Sequence, residues 1–239
     1  MQNLLFMGGV GHPFEETSAE LAKLLQSHGV ETTIVPAHQW EDASKLFPTA
    51  DLLSFDALRW RMLADRYDHL RDEHAYSAPM PLRRAVEAHV AAGRPVLALH
   101  TSCICFDDWP WWGELLGACW DWDRSFHPEL AEIRLSGTPS FNGPRTTALC
   151  DEVYHGLRVT DRHRTVLGWA SVPTTAVAQN EPPLGSAGIG EPQPVLWRRT
   201  QNNARIVVDT LGHDVGSLVS RQHRAMLDDA VAWLLGGAQ

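Results

Sequence analysis

Residues 95–103 read Pro95-Val96-Leu97-Ala98-Leu99-His100-Thr101-Ser102-Cys103. Four consecutive apolar residues without alternation predict a strand buried on both faces, the habit of a parallel sheet covered by helices. The polar residues that follow predict a sharp turn into a helix, the layout of a nucleophile elbow, but with His100 where acyl transfer needs a thiol or hydroxyl. Just upstream, residues 82–92 form an amphipathic helix stopped by Gly93. Further out, residues 51–55 and 32–35 read as strands. Residues 15–27 read as a helix, with Ala19, Leu21, Ala22, Leu24 and Leu25 at helical spacing and Gly29 at the C-cap. Residues 3–7 form a first strand ending at Gly8-Gly9. The order strand, helix, strand, strand, helix, strand predicts an α/β fold, a mostly parallel sheet with helices on both faces and a ligand crevice at the carboxyl ends of the strands. The strands 3–7 and 95–99 belong near its centre.

Beyond the elbow, residues 194–197 and 205–210 read as adjacent strands joined at Gln201-Asn202-Asn203. A last helix carries Met226, Ala230, Trp233 and Leu234 and ends at Gly236-Gly237. Residues 58–78 mix Arg, Asp, His and Glu with Trp60, Met62, Leu63 and Tyr67, which predicts a helical surface excursion, either a lid or an oligomer contact. Residues 170–192, rich in Pro and Gly, predict a long loop able to act as a flap. Residues 1–239 are expected to form a single domain.

The chain has 239 residues, 44% of them hydrophobic, and a formal net charge of −9. That apolar content excludes a disordered chain, and no stretch approaches the roughly 20 apolar residues of a membrane span. The first residues carry no basic leader, so a cytoplasmic location is expected. Scattered Lys and Arg under a net negative charge argue against nucleic acid as a partner. Cys103, Cys105, Cys119 and Cys150 include no CxxC and fit neither a zinc ribbon nor a disulfide framework, so reduced thiols are expected. A small-molecule partner is left, with a homo-oligomer open.

His12, His100 and His213 each lie at or just after the carboxyl end of a predicted strand, where a parallel sheet brings distant residues to one edge. Histidines there serve as general acids or bases, or as ligands of a divalent metal such as zinc. Five of the ten Trp fall between Trp109 and Trp122, interleaved with Asp108, Asp121 and Asp123 and followed by His127-Pro128. Rings beside carboxylates suit a sugar, whose C–H faces stack and whose hydroxyls take hydrogen bonds. A Trp-rich core is the alternative. Asp151-Glu152-Val153-Tyr154 adds acids and a phenol for acid–base work or ligand ordering. Cys103 near a helix N-terminus leaves a cysteine hydrolase as a further alternative.

This set of motifs resembles the ThuA-like (trehalose utilization) family, whose fold is similar to that of class I glutamine amidotransferases, a flavodoxin-like arrangement. The resemblance covers nearly the whole chain. It rests on Gly8-Gly9 with His12-Pro13, Gly93 before the strand ending Leu99-His100, Asp108-Trp109, Leu116-Gly117 and His127-Pro128. It continues through Asp151-Glu152 with Tyr154, Pro194-Val195 with Trp197, Arg205-Ile206-Val207, Leu211-Gly212-His213-Asp214, and Ala230 with Trp233. It implies that His100 stands where amidotransferases carry cysteine, so glutamine hydrolysis is not expected. Two positions depart from the family pattern: Thr138-Pro139 replaces a His-Pro, and Asn202-Asn203-Ala204-Arg205 replaces a Gly-Lys-Gly-Arg turn. The implied function is carbohydrate catabolism, hydrolysis or isomerisation of a trehalose-like or keto-disaccharide. His100, His12, Glu152 and Tyr154 are then the catalytic candidates. Trp109, Asp108, Trp122, His127 and Asp214 are the substrate-binding ones, and His12, His100 and His213 the metal ligands. The rival is a non-catalytic sugar-binding or regulatory protein on the same fold.

Overall fold

In the computed structural model, which describes residues 1–137, 147–179 and 188–236, the buried apolar runs become neighbouring strands of one sheet. The elements are β1 (Gln2–Gly9), α1 (Phe14–Ser27), β2 (Glu31–Pro36), β3 (Leu52–Leu58), α2 (Asp68–His74), α3 (Met80–Ala91), β4 (Val96–Leu99), α4 (Pro110–Leu116), β5 (Ala118–Cys119), β6 (His127–Pro128), β7 (Ala131–Gly137) and β8 (Thr147–Asp151). They continue with β9 (Arg158–Val159), β10 (Thr165–Ser171), β11 (Ala178–Gln179), β12 (Gln193–Gln201), β13 (Ala204–Asp209), α5 (Val215–Val219) and α6 (Arg221–Leu234). Among the described residues the main sheet has nine strands in the order β2-β1-β3-β4-β13-β12-β10-β7-β8. The pairings from β2 to β13 are parallel. From β13 outward to β8 they are antiparallel. β4 lies near the middle of the sheet as expected, whereas β1, expected there too, is second from the edge with only β2 outside it.

Side chains alternate across each parallel strand, and the two faces bury separate cores. Leu4, Phe6, Leu53, Phe55, Val96, Ala98, Ile206 and Val208 point to the face covered by Leu82, Val86 and Val90 of α3 and Trp112 and Leu115 of α4. Leu5, Leu52, Leu97, Leu99 and Val207 point to the other, covered by Leu21, Leu24 and Leu25 of α1 and Met226, Ala230 and Leu234 of α6. Helices on both faces leave no room for a solvated alternation, which is why these runs are continuously apolar.

Several expectations are revised. In the antiparallel half, β7, β8 and β10 occupy residues where no strand was expected, although Ala131 to Ser136 alternate apolar and polar side chains, and β10 runs into the stretch predicted to be a loop over 170–192. Residues 180–187 of that stretch, and Thr138-Pro139, lie outside the described residues. β1 does not turn at Gly8-Gly9 but pairs with β3 through both glycines. At Gly9, φ is +145° and a Cβ would stand 2.2 Å from the Leu58 carbonyl oxygen, so the approach of β1 to β3 requires glycine there. The excursion after β3 holds a 3₁₀ turn, Asp65–Tyr67, and one short α-helix, α2, and it buries Trp60 and Met62 against the core rather than standing clear of it. No helix of the described residues is long and apolar enough to cross a membrane.

Candidate functional site

Register alone assembles the site. Met7, Asp56, Leu99 and Asp209 are successive cross-strand partners, so the chain leaves β1, β3, β4 and β13 at one edge of the sheet. His12 lies between β1 and α1, His100 directly after β4, and His213 between β13 and α5. Their ring centroids are 4.9 Å apart for His12 and His100, 4.8 Å for His12 and His213, and 5.6 Å for His100 and His213. Glu152, directly after β8, places its carboxylate among them. Its Oε1 is 3.4 Å from His213 Nδ1 and 3.6 Å from His127 Nδ1. Its Oε2 is 3.7 Å from His100 Nε2 and 3.9 Å from His12 Nε2.

His100 sits at the elbow with φ +47°, a left-handed conformation unusual for a residue with a side chain. Its Nδ1 donates to the Thr210 carbonyl at 3.0 Å, because a carbonyl only accepts, and the lone pair therefore lies on Nε2, facing Glu152. His12 repeats the arrangement, with Nδ1 donating to the Val10 carbonyl at 3.2 Å. Tyr154 stacks on the His100 ring at 5.3 Å between centroids.

Charge follows from this geometry. Burial alone would raise the Glu152 pKa, but the contacts with His12 and His213, with His100 and His127 beside them, outweigh it and hold the carboxyl well below the usual range. Burial, with His12 alongside, pulls His100 down to about 3, so this ring is neutral near pH 7. His213 moves up, chiefly through its contact with Glu152. Burial pushes the Tyr154 phenol far up, keeping it a proton donor.

One ligand atom from each of His12, His100, Glu152 and His213 can be chosen so that all four lie within 4.8 Å of one another. The donors suit a divalent transition metal: three imidazoles and a carboxylate, two rings already oriented by backbone carbonyls on their far nitrogens. His12 Nε2 and His213 Nδ1 are buried and have no hydrogen-bond partner among the described residues, the condition a metal would relieve.

His12, Glu152 and Tyr154 line a cavity of about 630 Å³ together with His127, Thr101, Trp60, Tyr67, Trp120 and Trp122. An aromatic wall runs from the cluster outward. Tyr154 meets Trp120 at 5.4 Å, Trp120 meets Trp122 at 6.1 Å, and Trp122 stacks on Trp60 at 5.8 Å. Trp120 Nε1 is buried with no hydrogen-bond partner among the described residues.

The Trp-rich segment is divided. Trp122 and His127 reach the cavity, but Trp109 is 5% exposed and packs against Phe106, Trp111 and Trp112, its Nε1 donating to Glu87 at 3.2 Å. Asp108 accepts from Arg83 at 2.6 Å and Ser77 at 2.5 Å. Asp214 caps α5, accepting from the Ser217 amide at 2.9 Å. The structure thus places Trp109, Asp108 and Asp214, expected to contact substrate, outside the lining of this cavity. Cys103 is buried, and burial pushes its thiol well up, the opposite of what a nucleophile needs. Sequence reasoning missed Trp60 and Tyr67 as cavity wall; apolar rings in an otherwise charged stretch were the available signal.

The chain is similar to a ThuA-like protein from Parabacteroides merdae ATCC 43184, with a TM-score of 0.72 at 19% identity over 100% of this chain and 91% of that one. A ThuA-like protein from Bacteroides uniformis ATCC 8492 aligns with a TM-score of 0.64 at 13% identity, covering 98% of this chain and 91% of that one. A cytoplasmic protein from Salmonella typhimurium LT2 aligns with a TM-score of 0.58 at 14% identity, covering 98% and 97%. At such identities these likenesses speak to the fold. No curated protein sequence matches the chain significantly. The family model ThuA, described as trehalose utilisation, matches residues 3–234, and the chain belongs to that family.

Proposed function

We infer that this protein is a carbohydrate-processing enzyme that binds a divalent metal, zinc being the best fit, at His12, His100, His213 and Glu152 and acts on a trehalose-like or keto-disaccharide in the adjoining cavity. The observation that carries the reading is a set of buried nitrogens in one place that make no hydrogen bond among the described residues: His12 Nε2 and His213 Nδ1, which face the Glu152 carboxylate, and Trp120 Nε1 on the aromatic wall. Buried polar atoms are normally paired, and a metal ion and a sugar hydroxyl would pair these. The cavity's 630 Å³ lies within the range of roughly 300–1,000 Å³ of small-molecule sites. Its apolar wall and few convergent polar groups fit sugar rings, and the family description points to the same substrate class.

When bound, the metal supplies Lewis-acid polarisation of a substrate oxygen or an acidified water. The chain's own residues do the rest. Trp120, Trp122 and Trp60 stack on the ring faces and exclude water, and the Trp120 N–H donates to a hydroxyl. Tyr154 holds its proton on the phenol oxygen beside the cluster. His127, whose Nδ1 donates to the Pro128 carbonyl at 3.0 Å and stands 3.6 Å from Glu152, leaves Nε2 as its nitrogen for exchanging a proton with the substrate. Hydrolysis and isomerisation both need this proton transfer.

The test measures metal content of the purified protein and turnover of a panel holding trehalose, its keto derivatives and other disaccharides. Metal near one equivalent, turnover lost on chelation and restored by zinc, and a folded His100→Ala variant without either uphold the reading. A metal-free protein that turns over sugar, or one that binds sugars without converting them, overturns it, the latter in favour of a binding or regulatory protein.

A further inference from the structure

The geometry points to Asp151 as the positioning residue of the cluster, the centre of a buried polar unit that sets where Glu152, His213 and His100 stand. The inference rests on the metal-binding reading above and extends it to residues that touch neither metal nor substrate.

Asp151 is fully buried at the end of β8. Its Oδ1 accepts from the Glu152 amide at 2.7 Å and the His213 amide at 3.3 Å, the backbone groups of two cluster members. Its Oδ2 accepts from the Gly212 amide at 2.9 Å and from the Ser217 hydroxyl. Four donors fill the carboxylate's acceptor capacity, which fixes it in place.

The unit continues behind it. With its own proton given to Asp151, Ser217 Oγ accepts from His223 Nδ1 at 3.0 Å, and His223 Nε2 donates to Asp209 Oδ2 at 2.7 Å. Both ring nitrogens donate, so His223 is the imidazolium between two carboxylates; burial alone would lower its pKa, and Asp209 outweighs that. Asp209 Oδ1 in turn holds the Leu211 amide at 3.0 Å. Residues 209–213 are thus gripped from both carboxylates. That stretch carries His213, and its Thr210 carbonyl is the one that orients His100. Three cluster members from β4, β8 and the β13–α5 connection therefore depend on one network.

Ser217, His223 and Asp209 have the composition of a hydrolase triad, but all three are buried and none lines the cavity, so nucleophilic work is excluded and support is what the geometry offers. Groups that orient metal ligands typically change affinity by about 10- to 100-fold when removed.

The test compares wild type with Asp151→Asn and the milder Ser217→Ala, by zinc titration calorimetry, thermal melting and amide hydrogen exchange on metal-free protein. Asn keeps one acceptor but turns an N–H₂ toward the Gly212 amide and the Ser217 hydroxyl. Expected is a loss of at least 10-fold in zinc affinity for Asp151→Asn and a smaller loss for Ser217→Ala in protein that still folds. The Glu152 and His213 amides should be protected in wild type and exchange faster in the variants. Wild-type zinc affinity in a folded Asp151→Asn, or in Ser217→Ala if the former fails to fold, overturns the inference. If wild type takes no zinc, the metal reading fails by itself, and exchange decides the rest: amides equally labile in wild type and variant overturn the positioning role, and protection lost only in the variant supports it.

Discussion

Replacing Gly9 by Ala tests whether the close approach of β1 and β3 sets the cluster. The new Cβ would lie 2.2 Å from Leu58 O, 2.8 Å from Leu58 C and 2.9 Å from Leu58 N, all backbone atoms of the neighbouring strand. Nothing flexible can yield, so the strand ends must part by roughly 1 Å to regain van der Waals contact. Overpacking of this kind costs about 1–3 kcal/mol, and a side chain at φ +145° adds about 1–3 kcal/mol of backbone strain. Gly29→Ala is the control. Its φ is +74° with nothing within 4 Å of a new Cβ, so it carries strain of about 1–2 kcal/mol and no clash. A chain of this size that unfolds cooperatively loses about 2–4 °C in Tm per kcal/mol, so Gly9→Ala should melt about 5–20 °C below wild type and clearly below Gly29→Ala. Because His12 follows Gly9 by one short loop, zinc titration should also show weaker binding in Gly9→Ala alone. Equal melting of the two variants, with equal zinc affinity, would refute the claim that this strand contact positions His12.

Stability should fall on acidification through His89, which burial holds down at about 4 while its Nε2 donates to the Pro95 carbonyl. The unfolded ring takes a proton near pH 6.5, so this contribution is complete above pH 6.5 and is lost as pH falls toward 4, at up to about 1.4 kcal/mol per pH unit; His89→Gln should flatten the denaturant-measured slope in that window. Trp120→Phe keeps an aromatic face but removes the N–H with its half of the indole, and should weaken sugar binding with little change in Tm; unchanged binding by calorimetry would remove Trp120 from the site. Trp109→Ala should cost about 3–5 kcal/mol of stability as a buried aromatic truncation. Asp108→Asn, away from the cavity, should leave sugar turnover intact while loosening Arg83 and lowering Tm by a few degrees.

Local pattern carried much of the parallel half. The apolar runs in β1, β3 and β4, the glycine stops after α1 and α3, and the polar turn at His100 are each consequences of burial on two faces or of backbone conformation, both of which a short window of residues encodes. The same reasoning put His12, His100 and His213 at strand ends, because in a parallel sheet the chain leaves every strand at one edge. The antiparallel half was less legible: Glu132, Arg134 and Ser136 alternate with Ala131, Ile133 and Leu135 in β7, and Val166, Leu167, Trp169 and Ala170 make β10 apolar, but which of these distant strands pair is decided only by the fold. The sidedness of the aromatic cluster also depended on tertiary structure. Trp109 and Trp120 stand in similar sequence surroundings, but α4 turns the first into the core beside Phe106 and Trp112, whereas the chain after β5 brings the second against Tyr154. Glu152 and its support were decided in the same way, since Asp151 reaches Gly212, His213 and Ser217 across more than sixty residues of sequence, a contact that only the folded chain can make.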